Sequence, residues 1–256
     1  HEKLGTKRYQ SQNSQGIEKT TKRRTAGANK CSKQTAYVGA VYGIAGFPRS
    51  TEQFLDDLQR QERQQDRPRP KGKRLSVALT QVFSDELLEG PQQVFSLLET
   101  QVAERLGERT LICLMDGQKS LWYHQRKKFP HAVCILDLFH AMEYLWEAAN
   151  CFHEKGSKAA EDFVNRRLKR LLNGKVRQVI GELKRLCMSA TASKQKQLQK
   201  VIRYYQTNVD HMQYDQYIKA GYPIGSGVIE GACRHFVKDR MERAGMRWNT
   251  EGATSI

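Results

Sequence analysis

Long apolar runs are missing from this chain: nothing approaches the roughly 20 consecutive residues that cross a bilayer, and mean hydropathy is -0.70. A membrane span is therefore not expected. Cysteine is sparse, with six residues (Cys31, Cys113, Cys134, Cys151, Cys187 and Cys233), none in a CxxC pair or a Cys/His cluster at zinc spacing. That excludes a zinc ribbon and argues against a disulfide framework. Cys113 and Cys134 sit in short apolar runs, as reduced thiols of a cytoplasmic protein do. No charged segment followed by an apolar one reads as a secretion signal. The chain opens on His1 without Met and stops at Ser255-Ile256 within an element that reads as continuing, so both ends read as cut. Aspartate is absent from residues 1–55.

Negative charge is also short. Lys and Arg total 43 against 27 Asp and Glu, a formal charge of +16 with a pI near 9.7. A polyanionic partner is the simplest physical reason to keep so much self-repulsion. Nucleic acid fits better than a lipid surface, because no basic amphipathic helix carries a strong aromatic face. The 256 residues suffice for one large domain or two small ones with a real core.

Residues 1–35 hold nine Lys/Arg, two Glu and no hydrophobic period, which reads as a mobile basic segment, either plainly solvated or touching phosphates. Thr35 to Ile44 has the β-branched and aromatic mix of a strand. Residues 59–74 are charged and Pro-containing, an exposed excursion, and Leu75 to Phe83 returns to a strand-like pattern. Pro91 suits the first turn of a helix carrying Val94, Leu97, Leu98, Val102 and Leu106, closed by Gly107.

Two short apolar runs follow, Thr110 to Met115 and Ala132 to Leu136, the mark of strands buried on both faces. Each ends on an aspartate, Asp116 and Asp137. In open α/β sheets ligands gather at that edge. From Leu138 to about Tyr217 the chain reads as helices. Val164, Leu168, Leu171, Val176, Ile180 and Leu183 keep helical spacing, with Arg166, Arg167, Lys169, Arg170, Lys175, Arg177, Lys184 and Arg185 between them. Asn173-Gly174 marks a turn and residues 189–196 a weak break. Gly225-Ser226-Gly227 then precedes a helix with one apolar stripe and Glu230 in its first turns.

Phosphodiester chemistry on DNA needs a nucleophilic oxygen near neutral pH and an offset for charge on phosphate, which two Mg²⁺ ions about 3.5–4 Å apart supply. Such ions take carboxylate oxygens. Asp116, Asp137 and Glu230 are the acids whose context suits this. Each has a plainer reading: a turn former for Asp116, a helix cap for Asp137, and salt bridging along the Glu230, Arg234, Lys238 row.

Taken in order, Asp116-Gly117-Gln118-Lys119-Ser120-Leu121-Trp122, Ile135 through Trp146 (Ile-Leu-Asp-Leu-Phe-His-Ala-Met-Glu-Tyr-Leu-Trp) and Gly225-Ser226-Gly227-Val228-Ile229-Glu230-Gly231-Ala232-Cys233-Arg234 resemble bacterial insertion-sequence transposases of the ISKra type. Arg243-Ala244-Gly245-Met246-Arg247-Trp248 is similar to the segment following that family's glutamate. The resemblance spans residues 75–256. It implies the DDE superfamily and an α/β, RNase H-like mixed sheet flanked by helices, with a basic all-helical insertion before the last catalytic helix.

On that basis residues 1–34 are a basic flexible segment, 35–150 the core, 151–222 the insertion and 223–256 the helix of the catalytic glutamate. The resemblance makes Asp116 the second catalytic aspartate and Glu230 the third acid, with Asp137 and His140 as active-site support and Asp137 a further metal ligand. It implies Mg²⁺ or Mn²⁺, two ions, with Arg234, Lys238, Arg166, Arg167 and Arg170 holding double-stranded DNA, and a homo-oligomer on DNA in the bacterial cytoplasm. The family's first aspartate has no counterpart here, is expected upstream of His1, and without it the piece is expected to be inactive alone. Two rival readings stand beside this one: a catalytically dead remnant acting only as a DNA-binding protein, and another RNase H-like nuclease such as a junction resolvase.

Overall fold

The computed structural model describes residues 2–9, 35–59, 67–83 and 86–226. Over these the chain is mixed α/β, with a five-stranded and a two-stranded sheet. The two apolar runs form parallel neighbours, β6 (Leu111–Met115) and β7 (Val133–Leu136), with Met115 in register with Leu136. Ile112, Cys113, Leu114, Ile135 and Leu136 are all buried, as strands covered on both faces require.

Residues 2–9 correct the expectation of a flexible basic segment. They form β1 (Glu2–Tyr9), parallel to β6 with Thr6 opposite Met115 and antiparallel to β2 (Ala36–Gly43). Strand β3 (Lys71–Leu79) pairs antiparallel with β2, giving the order β3-β2-β1-β6-β7. Its first four residues were expected in an exposed excursion; the edge position lets Lys71, Lys73 and Arg74 stay exposed while the backbone pairs. The expected strand through Phe83 breaks at Thr80, and β4 (Gln81–Phe83) pairs instead with β5 (Glu86–Leu88).

Helix α2 (Gly90–Ala103) starts with proline in its first turn and lies on β2 and β3. Gly39 lets it approach, since a Cβ there would stand 2.8 Å from Leu98 and from Val94. Alternation along β2 sends Tyr37 and Val41 to the main core and Val38, Ala40 and Tyr42 to a second, smaller cluster. Leu97, assigned to the apolar stripe, is exposed instead.

Helix α1 (Thr51–Gln59) has no counterpart in the expected elements, yet its start is encoded. The Ser50 backbone N–H donates to Gln53 Oε1 at 2.8 Å and the Gln53 N–H donates to Ser50 Oγ at 3.1 Å, a capping box closing the first turn. Helices α3 (Lys119–Lys128) and α4 (Leu138–Ala149) follow β6 and β7. The all-helical half comprises α5 (Lys158–Leu172), α6 (Val176–Met188), α7 (Ala192–Asn208) and, after one 3₁₀ turn, α8 (Tyr214–Lys219). The expected stripe from Val164 to Leu183 is buried throughout. Among the described residues no helix is long and apolar enough to cross a membrane.

Candidate active site at the strand ends

Because Met115 and Leu136 are in register on parallel strands, Asp116 and Asp137 leave the sheet side by side. The Asp137 N–H donates to the Met115 carbonyl at 2.8 Å, extending the pairing by one residue. Asp116 turns the chain into α3 by accepting the Gln118 N–H on Oδ1 at 2.9 Å, as short polar side chains do in turns. Gly117 between them has φ +88°, and a Cβ there would lie 2.8 Å from Leu136 and 3.0 Å from Asn208 and Tyr204. Only glycine meets both demands.

The helical half is bolted to this corner by polar side chains. Tyr204 donates its hydroxyl to the Asp116 carbonyl at 2.8 Å, and Trp122 Nε1 donates to Asn208 Oδ1 at 2.8 Å. Trp122 also stacks on His211, with centroids 4.1 Å apart. Tyr205 donates to the Ala141 carbonyl at 2.6 Å, Tyr214 to that of Leu136 at 3.0 Å and Tyr217 to that of Cys134 at 3.2 Å. Each of these four hydroxyls donates to a backbone carbonyl of β7, α4 or the residue after β6, and burial pushes all four phenol pKa values up.

Asp137 is 2% exposed, and its carboxylate is engaged on both oxygens. Oδ1 accepts the Phe139 N–H at 3.0 Å, capping α4, and the Ser226 N–H at 3.3 Å. Oδ2 accepts the Ser226 hydroxyl and lies 3.5 Å from His140 Nδ1. Burial drives this carboxyl pKa up, but the hydrogen bonds from His140 and Ser226 outweigh it and hold the group below its ordinary value. Its contribution to stability is complete above about pH 4, the unfolded value, and drains away as pH falls through the lowered folded value.

The same bonds carry Ser226 to the strand end. The Leu138 N–H donates to the Ile224 carbonyl at 2.9 Å, and a Cβ on Gly225 would stand 2.6 Å from the Phe139 ring. Asp137 is therefore the pin between β7, α4 and residues 224–226. A carboxylate has about four lone-pair sites; three hydrogen bonds meet this one, from Phe139 and twice from Ser226, and His140 Nδ1 stands 3.5 Å away. Asp116, only half-buried, is the more open of the two carboxylates. Among the described residues no group of three His, Cys, Asp or Glu could hold a metal ion. Glu230, Arg234 and Lys238 lie outside the described residues.

Of the cations expected on DNA, Arg166 is exposed, but two others are spent inside the protein. Arg167 is 6% exposed, packs its guanidinium 3.5 Å from the Phe163 ring centroid and lies 3.5 Å from Glu182. Arg170 bonds the same Glu182. Instead, the strand end opens into a depression of about 980 Å³ that starts at Gly117 and runs along α7. Lys119, Lys194, Lys196, Lys200 and Arg203 line it, and among the described residues no carboxylate does. None of the five stood out in the sequence; Lys196, Lys200 and Arg203, spaced i, i+4, i+7, were the signal available.

No family model matches the chain, and no curated protein or solved structure matches it.

Proposed function

We propose that the chain belongs to the catalytic domain of a DDE-type DNA transposase with an RNase H-like fold. The observation that carries the reading is the pair of aspartates at neighbouring parallel strand ends, one half-open and one pinning Ser226, four residues before Glu230 in the sequence. The sheet order supports the fold: three antiparallel strands, the innermost then parallel to β6 and β7, with a helical segment ahead of the final acid. The +16 charge supports a DNA substrate.

In the proposed reaction, water oxygen attacks a phosphorus at the transposon end and the P–O3′ bond breaks, leaving a free 3′-hydroxyl. That oxygen then loses its proton and attacks a target phosphorus in line, expelling the target's own 3′-oxygen. Asp116 contributes a carboxylate of the kind hard divalent ions prefer, and such ions supply charge neutralisation and an activated oxygen when bound. The described residues by themselves do not complete such a site. Asp137 orients rather than ligates, through Ser226, Phe139 and His140.

The reading is tested by Mg²⁺-dependent nicking and strand transfer by the full-length protein on labelled duplexes carrying the element's ends. Asp116→Asn is expected to abolish both, and Ser226→Ala, acting through Asp137, to cost about 10–100-fold. Nicking that survives Asp116→Asn sinks the proposal. A second reading, a DNA-binding remnant without chemistry, is favoured by one observation: central strand β1 carries no aspartate beside Asp116. Metal-dependent nicking by the full-length protein, lost in Asp116→Ala, excludes it.

A further inference from the structure

We infer that the α7 depression is a binding track for the sugar-phosphate backbone of duplex DNA, leading away from the strand end at Asp116. This rests on the transposase reading for the nature of the polyanion, but its residues are separate from the acids. Lys196, Lys200 and Arg203 share one face of α7, with Thr207 a further turn on, while Leu198, Val201, Ile202 and Tyr205 bury the opposite face in the core. Lys119 enters from the first turn of α3, next to Gly117. Lys200 is held by Glu147 at 2.9 Å and sits over the Tyr144 ring, so its charge is partly answered. Lys119, Lys196 and Arg203 are exposed and form no ion pair among the described residues.

The layout selects the ligand. From Lys196 to Arg203 the helix rises about 10 Å, which spans about three phosphates of one strand at 3.4 Å of axis each. A small phosphate ligand needs donors that converge; these are strung along a line. Single-stranded nucleic acid needs open aromatic faces for base stacking, whereas Tyr144 and Tyr204 are stacked on each other at 3.7 Å. A lipid surface needs an exposed apolar face, and that of α7 is buried. A duplex backbone, read by charge and without base contacts, is what remains.

The test is fluorescence anisotropy of a labelled duplex of arbitrary sequence, with EDTA present, across a KCl series. The wild-type chain is expected to bind with a steep salt dependence. Replacing Lys119, Lys196 and Arg203 together by Ala is expected to reduce the slope of log affinity against log salt by about 3, near one per lost phosphate contact. The double reversal Lys196→Glu with Arg203→Glu should weaken binding further, and thermal melts of both variants establish that they are folded. Replacing Lys169 and Lys184 on α5 and α6, with Lys175 at the start of α6, should leave the slope unchanged.

An unchanged slope in the groove triple overturns the inference, and so does an equal loss in the α5 and α6 triple. Preferential binding of a single strand, or of phosphatidylserine vesicles, through the same three residues also overturns it. Chemistry is silent in EDTA, so the two proposals fail separately. Asp116-dependent nicking with an unaltered slope in the groove triple removes the track alone. A groove-dependent slope in a full-length protein that never nicks removes the reaction alone.

Discussion

Helices α5 and α6 and helix α7 are alike as strings of letters, each amphipathic and rich in Lys and Arg, yet their charges do opposite things. On α5, Arg167 and Arg170 converge on Glu182 of α6, and the guanidinium of Arg167 is buried against Phe163. Its positive charge holds two helices together. On α7, Lys196 and Arg203 face outward into the depression, Lys200 is answered by Glu147, and Tyr204 and Asn208 at the edge of the depression grip the strand end. One acid placed 15 residues from Arg167 decides the matter, so counting cations on a helix says little about binding until their partners are known.

The contrast can be broken in order of effect. Glu182→Ala leaves Arg167 buried without its counter-charge and is expected to cost about 3 kcal/mol in urea unfolding, with the salt slope of DNA binding unaltered; a weakened slope at unchanged stability would reverse the assignment of these arginines. Asn208→Ala orphans the Trp122 indole N–H and is expected to destabilise by about 2 kcal/mol by the same measurement. Tyr204→Phe removes only the donor to the Asp116 carbonyl, about 1 kcal/mol, and should lower Asp116-dependent nicking while DNA affinity holds. Replacing Lys196 and Arg203 by Ala should shift stability by no more than about 0.5 kcal/mol and reduce the salt slope by about 2. If that pair instead destabilises as much as Glu182→Ala, α7 is a structural helix like α5.

What could be read in the sequence was whatever depends on near neighbours. The runs ending at Met115 and Leu136 announce buried strands and place Asp116 and Asp137 at their ends. Pro91 announces α2, and the stripe from Val164 to Leu183 announces α5 and α6. Strand β1 escapes because Glu-Lys-Leu-Gly-Thr-Lys-Arg-Tyr has no apolar run, and what makes it a strand is pairing with Ala36–Gly43 and Leu111–Met115, far away along the chain. Helix α1 was within reach, through the Ser50-Thr51-Glu52-Gln53 capping box. The fates of Arg167 and Asp137 were not, since both turn on contacts, to Glu182 and to Ser226, that only the folded chain creates. Glu230 remains a reading of sequence alone.

The position of β1 between β2 and β6 has a consequence for how the protein is made. Its antiparallel partner β2 leaves the ribosome soon after it, but β6 begins about 100 residues later. At about 5–20 residues per second, one edge of β1 waits roughly 5–20 s for its parallel neighbour. Until then the backbone N–H and C=O groups of that edge can pair with another chain. The corner that presents Asp116 is assembled only when that interval ends, so a shortage of usable protein during rapid expression would trace to this strand rather than to the helical half.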